Sequence, residues 1–254
     1  MHLKNQTPES PLDPLVQKMI PVLKRQIGSW EVAVNRRSHN TKDLADQYDA
    51  ASTRWHKTAH DFDLETAYQG PLQACGAPTV LAKTGTMARV LDCGVGSGSL
   101  SIALNSLSPN RAAFYGIDIS AAMLGAAKTE MQKAGISPQL EQADILNIPH
   151  EDQSFDVVMA AHVLEHLSDP QQAVAEMVRV LKPGGVLFAC MTRRSIFGAL
   201  VQLRWRTWAV TEQQGVAWLR GCHLVNIGFQ PVSLGPCVGQ ATTAFWAHKP
   251  AKAF

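Results

Sequence analysis

The sequence predicts an α/β protein built on a doubly wound, mostly parallel, seven-stranded sheet. Three observations carry that expectation. From Ala88 onward, short apolar runs alternate with helix-periodic runs. A glycine-rich turn, "GVGSG", follows the first apolar run, and "LKPGG" closes the clearest helix in the chain.

Each element has its local reason. "ARVLDC" is short, apolar and stopped by glycine, so it reads as a buried strand. "GSLSIALNSL" follows as a helix and "AAFYGIDI" as the second strand. "SAAMLGAAKTEMQKAG" is a helix with Ser120 as N-cap and Gly135 just past its end. "PQLEQAD" and "SFDVVMAAHVL" supply strands three and four. Asp169–Pro170 opens the helix in "DPQQAVAEMVRVLKPGG", and Pro183 with the glycines stops it. "VLFACMT" is strand five, and a helix and two further strands complete the chain. Residues 1–85 lack strand alternation and are expected to form a helical cap or lid, with Pro21 kinking or dividing the run "LVQKMIPVLKRQI". Residues 86–254 then form the main domain, with a lid insertion at about 193–210.

Lys and Arg total 23 and Asp and Glu 21, a net charge of +2, which argues against a protein whose main task is gripping nucleic acid. The opening "MHLKNQTPES" is polar, so no secretory signal is expected, and no window is apolar enough to span a bilayer. The five cysteines show no CxxC and no even framework, which fits reduced thiols in a cytoplasmic protein. A homodimer is the assembly entertained.

In a doubly wound sheet the ligand lies beyond the C-terminal strand ends, where the glycine turn falls. That turn has no P-loop lysine, and its GxGxG spacing is one residue short of the dinucleotide fingerprint. Asp118 ends the second strand, 20 positions after Gly98, and can accept hydrogen bonds from both hydroxyls of a ribose. Asp144 ends the third strand and can accept from an exocyclic adenine amine, with the Ile145 N–H beside it.

With these residues the chain resembles the class I S-adenosylmethionine (SAM)-dependent methyltransferases of small-molecule type. "VLDCGVGSG", "GIDIS", "QADILNIP…SFDVVMAAHVLEHLSDP" and "LKPGGVLF" match that family's successive motifs, closely over about residues 88–190. The resemblance implies a Rossmann-like methyltransferase fold and SAM as cofactor. It implies that Asp92, Gly94 and Gly96 border the methionine part of SAM, that Asp118 with Ile119 holds the ribose, and that Asp144 with Ile145 reads the adenine. It also implies that Tyr48 closes over the methionine carboxylate, with Arg54 adding charge pairing.

"HVLEH" places His162 and His166 at helical spacing, yet it lies where the family's strand-four motif falls, so no metal is expected. His162 is the candidate catalytic base, against a simpler role lining the pocket, while Glu165 and His166 are expected to stabilise the turn. Arg193, Arg194, Arg204 and Arg206, interleaved with Trp205 and Trp208, form either a substrate lid or a solvated helix. The expected function is methyl transfer from SAM to a small-molecule acceptor. Two alternatives keep the fold: a SAM-cleaving or cyclising enzyme that releases methylthioadenosine, and a non-catalytic SAM-binding partner subunit.

Overall fold

The computed structural model describes residues 19–37, 45–46, 48–50, 60–167, 169–193, 209–233 and 241–251. The strands of its main sheet are β3 (Ala88–Cys93), β4 (Ala112–Asp118), β5 (Gln139–Gln142), β6 (Phe155–Ala161), β7 (Leu181–Thr192), β8 (Val225–Val232) and β9 (Thr242–His248). They lie side by side in the order β5-β4-β3-β6-β7-β9-β8. All neighbouring pairs from β5 to β7 are parallel, and only β9 runs against its neighbours. The sheet is therefore doubly wound, mostly parallel and seven-stranded, as the alternation of runs implied.

The strand sequences explain why both faces are covered. Side chains alternate faces along a strand, so Val90 and Leu91, or Val157 and Val158, point opposite ways while all four are buried. One core joins Val90, Val157 and Phe188 to Leu72, Leu81 and Leu104 of the helices α1 (Leu64–Ala74), α2 (Ala77–Lys83) and α3 (Ser99–Leu107). Ala127 and Met131 of α4 (Ala121–Lys133) pack into the same core. The other core joins Leu91, Val158 and Leu187 to Val174 and Met177 of α5 (Pro170–Val180) and Leu219 of α6 (Glu212–Gly221). A sheet apolar on both faces is stable only with helices on each, which is what these two cores supply.

The helix ends follow their local chemistry. Ser120 Oγ accepts from the Met123 N–H at 3.1 Å, and Asp169 accepts from the Gln172 N–H at 3.2 Å. Gly135, at φ 77°, lies just past α4. α5 stops at Val180, short of Pro183, because Leu181 already joins β7. The Lys249 ammonium then donates to the carbonyls of Val178 and Leu181, both at 2.7 Å, satisfying groups left open at the helix end.

Two local readings need correction. Residues 19–37 are not helical: β1 (Met19–Ile27) and β2 (Trp30–Arg37) form an antiparallel hairpin. The turn is Gly28–Ser29, and Gly28 has φ 62°, the left-handed conformation that a two-residue hairpin turn demands. Pro21 sits at the register irregularity between Pro21 and Leu23, where its missing N–H is tolerated. Period-two alternation in "WEVAV" was the signal for this hairpin. Second, the approach to β3 is helical up to Lys83: "GAPT" starts α2, with Gly76 as N-cap at φ 77° and a proline in the first turn.

Two helical glycines test the packing with opposite signs. Gly125 on α4 has nothing within 4 Å of an added Cβ, so Gly125→Ala stabilises by about 0.5–1 kcal/mol through lower unfolded-state entropy. At Gly215 on α6 the added Cβ would lie 2.4 Å from Phe245 Cε1 of β9. There the overpacking outweighs the helix gain, and Gly215→Ala destabilises by about 1–3 kcal/mol. Urea denaturation of the two variants checks both signs.

Candidate active site

Parallel strands deliver their C-terminal ends to one edge of the sheet. Strand order reverses between β3 and β6, which opens a crevice there. The glycine turn leaves β3 on one side of that crevice. Its Gly94 and Val95 N–H groups donate to the Ile117 carbonyl of β4 at 2.7 and 3.0 Å, and Gly98 N–H donates to Val95 O at 2.8 Å. Gly94, Gly96 and Gly98 have φ of 70°, 54° and 85°. A Cβ on Gly94 would lie 2.2 Å from Val163 Cγ2, so only glycine lets this turn pass beside the segment that follows β6.

Asp118 ends β4 and is 9% exposed. Its Oδ2 accepts from the Gly96 N–H at 3.0 Å and its Oδ1 from the Ser120 N–H at 2.9 Å. Burial pushes its carboxyl above the usual range; bonds from Ser120, Gly96 and Ile119 oppose that rise, and the Asp49 charge adds to it. A carboxylate has about four lone-pair sites, more than these backbone donors use. Asp49, from the N-terminal segment, reaches the same place: its Oδ1 accepts from the Ser120 hydroxyl and from the Ala122 N–H at 3.2 Å.

Asp92, at the end of β3, is buried and accepts from the Ser101 hydroxyl at 2.7 Å. Burial pushes its carboxyl up to about 7, against the pull of the Ser101 bond and with help from the Asp118 charge. Asp144 follows β5 in an Asx turn, its Oδ1 accepting from Leu146 N–H and its carbonyl from Asn147 N–H, both at 2.9 Å. Ile145 beside it is buried. The Gln142 side-chain amide donates to the Ile119 carbonyl at 2.8 Å, linking that edge to the end of β4.

Across the crevice, His162 follows β6 with φ 58°, a left-handed conformation that costs a non-glycine residue about 1–2 kcal/mol. Its N–H donates to Cys190 O of β7 at 2.8 Å. Its Nδ1 lies 3.0 Å from Glu165 Oε1, and its Nε2 lies 3.5 Å from Thr242 Oγ1. The Tyr48 hydroxyl lies 2.7 Å from His166 Nε2, with the two rings edge-on. Burial, then the charges of Glu165 and Asp118, push the Tyr48 phenol far above its ordinary value, so it stays protonated. The two histidines thus face different partners, and among the described residues no group of three or more His, Cys, Asp or Glu side chains could hold a metal ion.

The structure therefore brings Asp92, Gly94, Gly96 and Asp118 together at the turn, places Asp144 and Ile145 at the adjoining edge, and sets His162 and Tyr48 on the opposite side. Arg54, Arg194, Arg204, Trp205, Arg206 and Trp208 fall outside the described residues. Arg193 is described: it pairs with Val210 as a parallel bridge, and Val210 N–H donates to Thr192 O at 3.0 Å. Sequence reasoning missed Asp49, Tyr68, Thr192 and Thr242. Asp49 lies next to Tyr48 in "QYDA", but nothing local links it to a serine 71 positions away. Tyr68 is buried on α1 in the core that holds Val90, Val157 and Cys190, and burial raises its phenol well above the ordinary value.

A strand order with one reversal, a glycine turn and an acid at three successive strand ends define a nucleoside-binding α/β domain. Residues 91–189 match a family described as a methyltransferase domain. A ubiquinone/menaquinone biosynthesis C-methyltransferase UbiE of Bdellovibrio bacteriovorus is 36% identical over 115 residues, 44% of this chain and 48% of that protein. A phosphatidylethanolamine N-methyltransferase of Cereibacter sphaeroides is 34% identical over 142 residues, 55% of this chain and 66% of that one. A ubiquinone biosynthesis O-methyltransferase of Hahella chejuensis is 33% identical, with 54% and 62% covered. The chain thus spans about half to two thirds of the length of these curated relatives. The crystal structure of a magnesium protoporphyrin IX methyltransferase from Synechocystis, with bound SAH, shares the fold at TM-score 0.62 and 17% identity, over 83% of this chain and 100% of that one. The match to the methyltransferase domain lies wholly within the α/β domain.

The raised Asp92 carboxyl sets the sign of a pH effect. Between its ordinary value of 3.8 and about 7, the unfolded chain has released a proton that the folded chain still holds. Its contribution to stability therefore falls as pH rises through that window and levels off above it. Asp92→Asn removes this contribution, so the melting temperature of the variant minus that of the wild type climbs between about pH 4 and about pH 7. A flat difference across that range would contradict the assignment.

Proposed function

We propose that the protein is a SAM-dependent methyltransferase acting on a small-molecule acceptor. The observation that carries this reading is the Asp118 carboxylate, nearly buried at the end of β4 and tied to the glycine turn by the Gly96 N–H. The residues present fit an aminoacyl-nucleoside. Backbone can approach a ligand at Gly94 and Gly96, and Asp118 with Ile119 suits a ribose diol. Asp144 with the Ile145 N–H suits an adenine edge, and Asp92 suits an ammonium beside the turn. Tyr48, kept neutral, is a hydroxyl partner for the cofactor's carboxylate end.

Bound SAM supplies a methyl group activated by a sulfonium, so the protein's task is alignment, proton removal and exclusion of water. His162 is assigned as the base, with Nε2 as the atom that takes the acceptor's proton. The N-terminal segment, residues 1–85, acts as the lid, a reading supported by the bonds from Tyr48 to His166 and from Ser120 to Asp49. The second expected lid, at about 193–210, lies for the most part outside the described residues. The relatives named above are C-, N- and O-methyltransferases, two of them of quinone biosynthesis, which supports a small organic acceptor for this chain. A net charge of +2 gives no support to a nucleic-acid acceptor. Buried free thiols at Cys75, Cys93 and Cys190 support a reducing, cytoplasmic setting. No helix among the described residues is long and apolar enough to cross a membrane.

Titration calorimetry with SAM tests the cofactor assignment. Asp118→Ala removes a charged acceptor and weakens binding by about 10–100-fold, while circular dichroism shows the fold retained. Unchanged affinity in a folded variant would overturn the ribose assignment. Incubation of the wild type with SAM alone separates methyl transfer from the alternatives. Intact SAM is the expected product, and catalytic release of methylthioadenosine would replace methyl transfer with SAM cleavage.

A further inference from the structure

The motif "HVLEH" contains a carboxylate that neither the fold nor the cofactor reading uses. Glu165 lies in the short 3-10 turn Leu164–His166 and is 1% exposed. A turn could be stabilised by a neutral residue, so a buried acid here needs a further reason. Three groups converge on one of its oxygens: Oε1 accepts from the Thr192 N–H at 3.1 Å and from the Thr192 hydroxyl at 2.7 Å, and lies 3.0 Å from His162 Nδ1. Oε2 is buried and has no hydrogen-bond partner. Burial alone would raise this carboxyl, but the charge and hydrogen bond of His162, the charge of His166 and the Thr192 bond together hold it below the ordinary range. The other groups facing it, the phenols of Tyr48 and Tyr68 and the Cys190 thiol, are all pushed toward their neutral forms. Glu165 is thus held in its anionic form, with His162 Nδ1 against its Oε1.

We propose that Glu165 is a positioning residue that fixes His162 as the Nδ1–H tautomer and presents its Nε2 as the proton acceptor, with Thr192 holding the carboxylate in place. This rests on the reading of His162 as the base. The geometry has three parts. An ionised carboxylate only accepts hydrogen bonds, so the His162 nitrogen facing it must carry the proton. The other nitrogen, Nε2, lies 3.5 Å from Thr242 Oγ1 at the start of β9, beside the end of β7. The left-handed backbone of His162, anchored to Cys190 O, aims the ring toward Glu165. In turnover the acceptor's X–H proton would pass to Nε2 and its electron pair would stay on X for the new X–C bond, while the methyl's bond to the sulfonium sulfur breaks, its electron pair stays on sulfur and S-adenosylhomocysteine leaves. The resulting imidazolium lies against the Glu165 anion until the proton returns to solvent. The arrangement follows the logic of a base oriented by a buried acid.

Two measurements test it. Protein labelled with nitrogen-15 in histidine, without cofactor or acceptor, reports the tautomer by long-range proton–nitrogen spectra, recorded over a pH series up to the point where the ring signals no longer move with pH. Loss of one signal set in His162→Gln assigns the resonances. The wild type shows His162 protonated on Nδ1, and Glu165→Ala loses that preference. An Nε2-protonated ring in the wild type, or an unchanged preference in a folded Glu165→Ala, would overturn the proposal. Glu165→Gln guards against misfolding, because the Thr192 donors hold the amide oxygen where Oε1 was and so keep the tautomer while removing the charge. With SAM and an acceptor, Glu165→Gln lowers kcat about 10-fold or more and leaves KM within about twofold. An unchanged kcat would count against the proposal equally. Failure of the methyl-transfer reading would show instead as no wild-type turnover, with the tautomer pattern intact.

Discussion

The bond on which the site depends is the one from the Gly96 N–H to the Asp118 carboxylate. It joins the turn after β3 to the end of β4, and the second oxygen, bonded by Ser120, joins both to the start of α4. One buried acid thereby sets the relative positions of two strands' ends and a helix N-terminus. The cost is a carboxylate taken out of water, and backbone donors offset it by stabilising the charged form. Asp49 adds a second carboxylate beside the first, so the N-terminal segment is held by donors at the start of the same helix.

Around that bond the crevice divides into halves of different chemistry. The β3–β4 side is a set of carboxylates and glycines, suited to hydroxyls, amines and close backbone approach. The β6–β7 side is a set of imidazoles, hydroxyls and one buried anion, suited to moving a proton. Val163, packed where a side chain on residue 94 would be, is the seam between them. The absence of a side chain at Gly94 therefore sets the spacing of the two halves as well as the path of the turn.

Much of this was legible in the amino-acid order because the information is local. Caps such as Ser120 and Asp169, the glycine turn and the strand-end acids each announce themselves within a few residues. The hairpin at 19–37 was also local, but its apolar residues fit a helical period as well as an alternating one, and proline and Gly28 decided the matter. What could not be read are the pairings made by packing. Glu165 and Thr192 are 27 positions apart, and Thr242 and His162 are 80 apart. Their meeting depends on β6, β7 and β9 being neighbours in the sheet, a fact about topology that no short window contains.

The bridge between Arg193 and Val210 has a consequence for how the chain tolerates change after β7. Arg193 pairs with Val210 and the Val210 N–H donates to Thr192 O, so the chain leaves and rejoins the described frame at adjacent points. Loop-closure entropy grows slowly with length, and each doubling of a flexible connection costs only about 0.6 kcal/mol. A change of length between these two points therefore costs little in bringing them together, and the neighbours of β3, β4 and β6 in the sheet do not depend on it.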